Sequence, residues 1–132
     1  MKLNKDCIRD ILLYVEANGQ LEGSIGYNQL CNELNEYEQD DIGYTLLRLK
    51  EAGYIDGKQV TYMPFNFSVS AITWNGHKFL DTVRDPQVWS TTKKIAKKFE
   101  SVSITLLSNI GAKVIEDTID KTMGNLSLWW ML

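Results

Sequence analysis

The sequence predicts an α+β fold that is mostly helical, and three observations carry that reading. Apolar residues recur at helical spacing through the first fifty positions. A short stretch of β-branched and aromatic runs broken by turn residues follows. Helical spacing then returns and holds almost to the end of the chain.

The first helix has a cap and a face. Asn4 suits the N-cap position, Asp6 sits where the helix dipole favours a carboxylate, and Ile8, Ile11, Leu12 and Val15 line one side until Asn18-Gly19 ends the run. Tyr27 to Leu34 reads as a short second helix with Leu30, Cys31 and Leu34 inward. Glu38 to Ala52 reads as a third, striped by Ile42, Leu46 and Leu49 and stopped by Gly53. Tyr54-Ile55, Val60 to Tyr62 and Val69 to Ile72 read as strands of a hairpin, with Asp56-Gly57 and Pro64 to Ser68 as the connectors. Thr73 is placed to cap a fourth helix through Phe79, Leu80 and Val83, and Pro86 opens a fifth that runs towards Phe99. Trp74, Phe79 and Trp89 are the aromatic residues expected to fill the core.

Three helices, a β-hairpin and a returning helix, in that order, are the order of a winged helix-turn-helix domain. Residues 1–85 therefore read as such a domain and residues 86–132 as a C-terminal helical extension with an apolar tail. In the extension Leu107, Ile110, Val114, Ile115, Ile119 and Met123 repeat at helical spacing, and Gly124-Asn125 is expected to break the pattern.

Three blocks carry a resemblance. The opening Met1-Lys2-Leu3-Asn4 with Asp6 to Leu12, the run Leu49 to Asp56 (LKEAGYID) and the run Ile72 to Asp81 (ITWNGHKFLD) resemble a domain-of-unknown-function family of small phage and prophage winged-helix proteins from Firmicutes. The resemblance spans about the first hundred residues and is looser beyond Lys98. It implies a winged-helix fold and a mobile-element origin. It implies no activity.

Composition narrows the chemistry. The chain has 132 residues, 44% hydrophobic and 23% charged, which suits one compact globular domain. The formal net charge is −3 and the sequence pI about 5.1, whereas proteins that coat nucleic acid through phosphate contacts usually carry a basic excess. Two cysteines, Cys7 and Cys31, and a single histidine, His77, cannot assemble a zinc site at ligand spacing, and both thiols are expected to be reduced. No phosphate-binding loop, nucleophile elbow or paired-histidine motif occurs, so the chain reads as non-enzymatic, with no catalytic residue, cofactor or metal. The charged amphipathic opening is unlike a signal-peptide core, and Ser101 to Ala112 falls short of the roughly 18 apolar residues a bilayer span needs. A cytoplasmic protein without a membrane span is expected.

Two classes of partner remain. Double-stranded DNA would be met by Arg48 and Lys50 on the third helix, Lys58 in the wing, and Lys93, Lys94 and Lys97 in the only dense basic run. Against this, the third helix opens Glu38-Gln39-Asp40-Asp41 at the place where base-contacting residues normally lie. The alternative is a host or phage protein docked through that acidic helix and the apolar tail. The candidate interface there is Ile119, Met123, Leu126, Leu128, Trp129, Trp130 and Leu132, which also suits a homodimer through the C-terminal helix.

Overall fold

The computed structural model describes residues 1–131, with side chains described through Gly124. It contains α1 (Lys5–Asn18), β1 (Ile25–Gly26), α2 (Tyr27–Glu33), α3 (Gln39–Glu51), β2 (Ile55–Tyr62), β3 (Phe65–Ile72), α4 (Trp74–Val83), α5 (Pro86–Ala96) and α6 (Ile104–Met131). The architecture is mostly helical α+β, with one three-stranded antiparallel sheet in the order β1-β3-β2. The chain forms two compact units, Met1–Leu80 and Asp81–Leu132.

Local chemistry explains the ends of the helices in the first unit. The Asn4 side chain accepts from the Cys7 N–H at 3.1 Å, satisfying one of the free donors that open α1. Glu38 is the N-cap of α3, and Asp40 and Asp41 lie in its first turn while Arg48 and Lys50 lie in its last, so both ends complement the dipole. Gly53 follows with φ of 78°, a left-handed conformation that glycine adopts without steric cost. The Thr73 side chain accepts from the Gly76 N–H at 3.0 Å and donates to the Gly53 carbonyl at 2.5 Å, capping α4 and tying it to the end of α3.

The core of this unit is built from one face of each helix and the inner face of the sheet. Ile8, Ile11 and Leu12 of α1, Leu30 of α2, and Ile42, Leu46 and Leu49 of α3 meet Ile55, Phe67 and Val69 from the strands, all essentially solvent-free. Cys31 and Leu34 are only half-buried. Tyr27 and Phe65 meet edge-on with ring centroids 4.8 Å apart. A side chain at Gly43 would come within 3.1 Å of the Phe65 ring and 3.4 Å of the Tyr27 ring, so a glycine inside α3 lets the helix lie flush on that pair.

The sheet differs from its sequence reading in three places. Asp56-Gly57 does not separate strands; it lies inside β2, where the register shifts. A Cβ at Gly57 would collide with the Ser68 carbonyl and reach 2.9 Å from the Phe67 ring, so this glycine serves a close strand approach and not a turn. Likewise Phe65 to Ser68 belong to β3, and only Met63-Pro64, joined by a cis peptide bond, connects the two long strands. The two-residue strand β1 was not read from the sequence at all. It pairs Ile25 with Val69 and Gly26 with Ser68.

The aromatic residues divide. Phe79 and Trp89 are buried, at 1% and 5% exposure, but Trp74 is 79% exposed. Trp74 opens α4, and at about 100° per residue its side chain leaves the helix opposite the Phe79, Leu80 and Val83 stripe.

In the second unit, the Asp85 side chain accepts from the Gln87 and Val88 N–H groups at 2.8 and 3.0 Å, with Pro86 at the first position of α5. α5 stops at Ala96, short of Phe99, and Phe99 is half exposed. α5 packs against α6, and Trp89, Thr92 and Ala96 of α5 and Ile104 and Leu107 of α6 are all buried. Gly111 permits that helix to approach Thr82, whose methyl would lie 2.6 Å from an added Cβ. Gly124-Asn125 does not break the helix: α6 continues through it to Met131. No helix among the described residues is long and apolar enough to cross a membrane.

Candidate interaction surfaces

The outer face of α3 follows from its inner one. With Ile42, Thr45, Leu46 and Leu49 turned to the core, the helix leaves Asp40, Tyr44, Arg48 and Glu51 on its outer side. Arg48 donates to Glu51 at 2.6 Å, one turn on, and its guanidinium lies 5.3 Å from the centroid of the Tyr44 ring. Its Nε is shielded from solvent without an acceptor among the described residues. The arginine that would best serve a phosphate is therefore already held by a carboxylate and an aromatic face, behind an opening turn of acids. Lys50 is exposed in the last turn, and Lys58 is exposed on β2 opposite Ser68.

The hairpin offers a different surface. Beyond Gln59 every residue of β2 is exposed, because Val60 falls in a register shift and has no partner across the ladder. The tip is apolar nonetheless. Val60, Tyr62 and Met63 are 49%, 83% and 94% exposed. Val60 and Tyr62 fall in the predicted strand Val60 to Tyr62, but the apolar surface they form with Met63 is not predicted from the sequence. The signal was present in the Tyr-Met-Pro-Phe run, which puts large apolar residues where a hairpin usually turns with small polar ones.

Lys93, Lys94 and Lys97 lie in the second unit on the last turn and C-cap of α5. Lys94 and Lys97 are exposed, and the Lys93 ammonium sits 5.7 Å from the centroid of the Trp89 ring. α6 has 28 residues against 11 in α5, about 42 Å of helix beside about 16 Å. Its apolar stripe continues past the end of that packing, leaving Ile119 and Met123 54% and 58% exposed. Leu126, Leu128, Trp129, Trp130 and Leu132, expected to extend the same interface, lie outside the residues whose side chains are described.

Titratable groups in the first unit are structural in placement. Burial pushes the Cys7 thiol up to about 11, opposed by a hydrogen bond with Thr45, and burial raises Cys31 as well. Both cysteines are free, and thiols held protonated in this way are poor nucleophiles. Burial also raises Tyr27 to about 12, and raises Tyr37, which donates to Asp10 at 2.5 Å. No three His, Cys, Asp or Glu side chains among the described residues are placed to hold a metal ion. His77 is half exposed, with Nδ1 3.9 Å from the Glu16 carboxylate, at one wall of an open groove of about 450 Å³ between the end of α1, α4 and β3.

Comparison with known proteins gives two matches. Residues 2–103 match a family described as Hypothetical protein (DUF2513). A Haemophilus influenzae protein described as "Uncharacterized protein" is 29% identical over 123 residues, covering 90% of this chain and 99% of that one. No solved structure matches.

Proposed function

The chain belongs to the family described as Hypothetical protein (DUF2513), and from that premise we propose that it is a phage- or prophage-associated winged-helix protein that acts by binding a protein, without catalysis. The winged-helix reading is supported by the order α1-β1-α2-α3-β2-β3 and by a sheet in which the long hairpin strand β3 lies between β1 and β2. In that scheme α3 stands at the recognition position and the β2–β3 hairpin is the wing.

The observation that carries the choice of partner is the engagement of Arg48 by Glu51 and Tyr44 on a helix that opens with Asp40 and Asp41. A phosphate backbone brought to this face meets carboxylates first and finds its arginine occupied. A protein surface with apolar and basic groups suits it better, and the Tyr62-Met63 tip supplies the aromatic and methionine area typical of interface cores. The exposed Ile119 and Met123 on α6 support self-association through the C-terminal helix as a homodimer.

DNA binding is the second reading, favoured by the exposure of Lys50 and Lys58 on the two elements that a winged helix presents to a duplex. Fluorescence anisotropy of a labelled random duplex separates the two. The protein-docking reading predicts no salt-sensitive binding between about 50 and 200 mM salt, the range over which phosphate contacts are lost. Binding that falls steeply across that range, and that vanishes on charge reversal at Lys93 and Lys94, establishes the DNA reading instead.

A further inference from the structure

The hairpin tip and the opening turn of α3 form one surface. Tyr62 stands opposite Phe65 in the β2–β3 ladder, and the Phe65 ring lies over Gly43 and against Tyr27. The Tyr27 hydroxyl in turn donates to the Gln39 carbonyl at 3.0 Å. The exposed Tyr62 and Met63 are therefore held beside the acidic end of α3, away from Arg48 and Lys50 in its last turn. Between Arg9 and Arg48 the chain has no lysine or arginine. Glu36, Glu38 and Asp40 are exposed there, and none of them has an ion-pair partner among the described residues.

The complement of this surface stands on the second unit of the same chain. Lys93, Lys94, Lys97 and Lys98 come close together with no acid among them. Lys94, Lys97 and Lys98 are exposed, and none of these three has an ion-pair partner among the described residues. α5 ends in a tight turn, in which the Lys98 and Phe99 N–H groups bond back to the Ile95 and Ala96 carbonyls. Phe99, 51% exposed, thus follows the lysines directly at the surface. One surface is apolar and acidic; the other is basic and carries an exposed aromatic ring.

We propose that the hairpin tip and the opening turn of α3 take the Lys94–Phe99 segment of a second copy of this chain. Phe99 lies on Tyr62 and Met63, and the lysines face Glu36, Glu38 and Asp40. The inference rests on the protein-docking reading of this face and names its occupant. Opposite charge sets the orientation, and the apolar contact supplies the buried core. Because the two halves differ, the contact is head-to-tail, and each copy keeps one unused face and one unused segment for a further copy. Exposed charges make it a weak contact, visible at low salt and high protein concentration.

Sedimentation equilibrium of the full chain tests this, in a background of Ile119→Asp with Met123→Asp so that pairing through α6 does not contribute. Tyr62→Ser with Met63→Ser removes the face and keeps the segment; Lys97→Glu with Lys98→Glu removes the segment and keeps the face. All the substituted side chains are exposed, so the variants are expected to fold. The background protein is expected to associate at low salt, and each variant alone about tenfold more weakly or worse. Mixed together, the two variants are expected to form a one-to-one complex, because each supplies the half the other lacks. The association is also expected to weaken several-fold between about 0.1 and 1 M salt, as the screening length falls from about 10 to about 3 Å. A monomeric background protein, undiminished association of either variant alone, a mixture that stays monomeric, or indifference to salt overturns the proposal. After such a failure, capture of a different protein that still depends on the hairpin tip leaves the docking reading standing with another occupant; loss of that capture as well overturns both.

Discussion

Arg48 and Glu51 close an ion pair at 2.6 Å across one turn of α3, the relationship on which the proposed protein-docking role of this helix rests. Both side chains are substantially exposed, so the pair contributes less than about 1 kcal/mol to folding. Its proposed effect is on recognition. With the guanidinium held by Glu51 and laid against Tyr44, the outer face of α3 presents Asp40 and Asp41 without an available arginine to offset them.

Removing the acid reverses that balance. Glu51→Ala is expected to leave the melting temperature within a few degrees of the parent. It is also expected to create weak duplex binding at low salt that the parent lacks, read by anisotropy. Equal behaviour of the two proteins would show that the ion pair does not govern the face.

Gly76 is the position in the first unit least able to accept a side chain. A Cβ there would strike the Tyr54 carbonyl and sit 2.6 Å from the Ile72 Cγ2. Gly76→Ala is therefore expected to cost about 2–4 kcal/mol despite the gain in helix propensity, measured by urea denaturation. A stabilised variant would mean that α4 is free to shift away from the sheet.

The Asp85 cap holds two donors of α5. Asp85→Ala is expected to destabilise by about 1 kcal/mol, and Asp85→Asn to recover most of the loss. Thermal melts of the three proteins check this ordering.

Alkaline stability follows from Cys7. Its folded value of about 11 lies above the ordinary thiol range because burial disfavours the thiolate. The unfolded chain releases the proton first, so this contribution is complete below pH 9 and is lost as pH rises towards 11. The loss is on the order of 2 kcal/mol. Tyr27 and Tyr37, also raised, act in the same direction from about pH 10. Cys7→Ala is expected to flatten the fall in unfolding free energy between pH 9 and 10, whatever its effect at neutral pH; an unchanged slope would contradict the assignment.

Much of the helical fold was legible because its determinants are local. Asn4, Thr73 and Gly53 each act within a few residues, and the structure has them capping α1, capping α4 and ending α3. Non-local pairing was not legible. Ile25 and Gly26 form a strand only because Val69 and Ser68 lie across from them, and Gly57 resembles a turn residue until the Ser68 carbonyl is placed against it. Trp74 has the bulk of a core residue, but its angle around α4 turns it to solvent. At the surfaces, Arg48 and Lys50 are legible by residue type, whereas the hold of Glu51 on Arg48 depends on side-chain geometry that residue type does not give. The apolar tip and the groove beside Glu16 depend on tertiary placement, and neither was found.

Self-association is tested on the second unit. Ile119→Asp combined with Met123→Asp is expected to convert a dimer to a monomer by light scattering, with helix content retained because both positions are exposed. A parent protein that is monomeric at high concentration would remove the homodimer from the proposal.

The most direct test of protein docking is affinity capture from a lysate of the native host with three baits: the parent, Tyr62→Ser with Met63→Ser, and Lys93→Glu with Lys94→Glu. The account predicts a protein partner, resistant to nuclease, that the parent and the lysine variant retain and the hairpin-tip variant loses. Capture that is abolished by nuclease or by the lysine variant, and is indifferent to the hairpin tip, would contradict it.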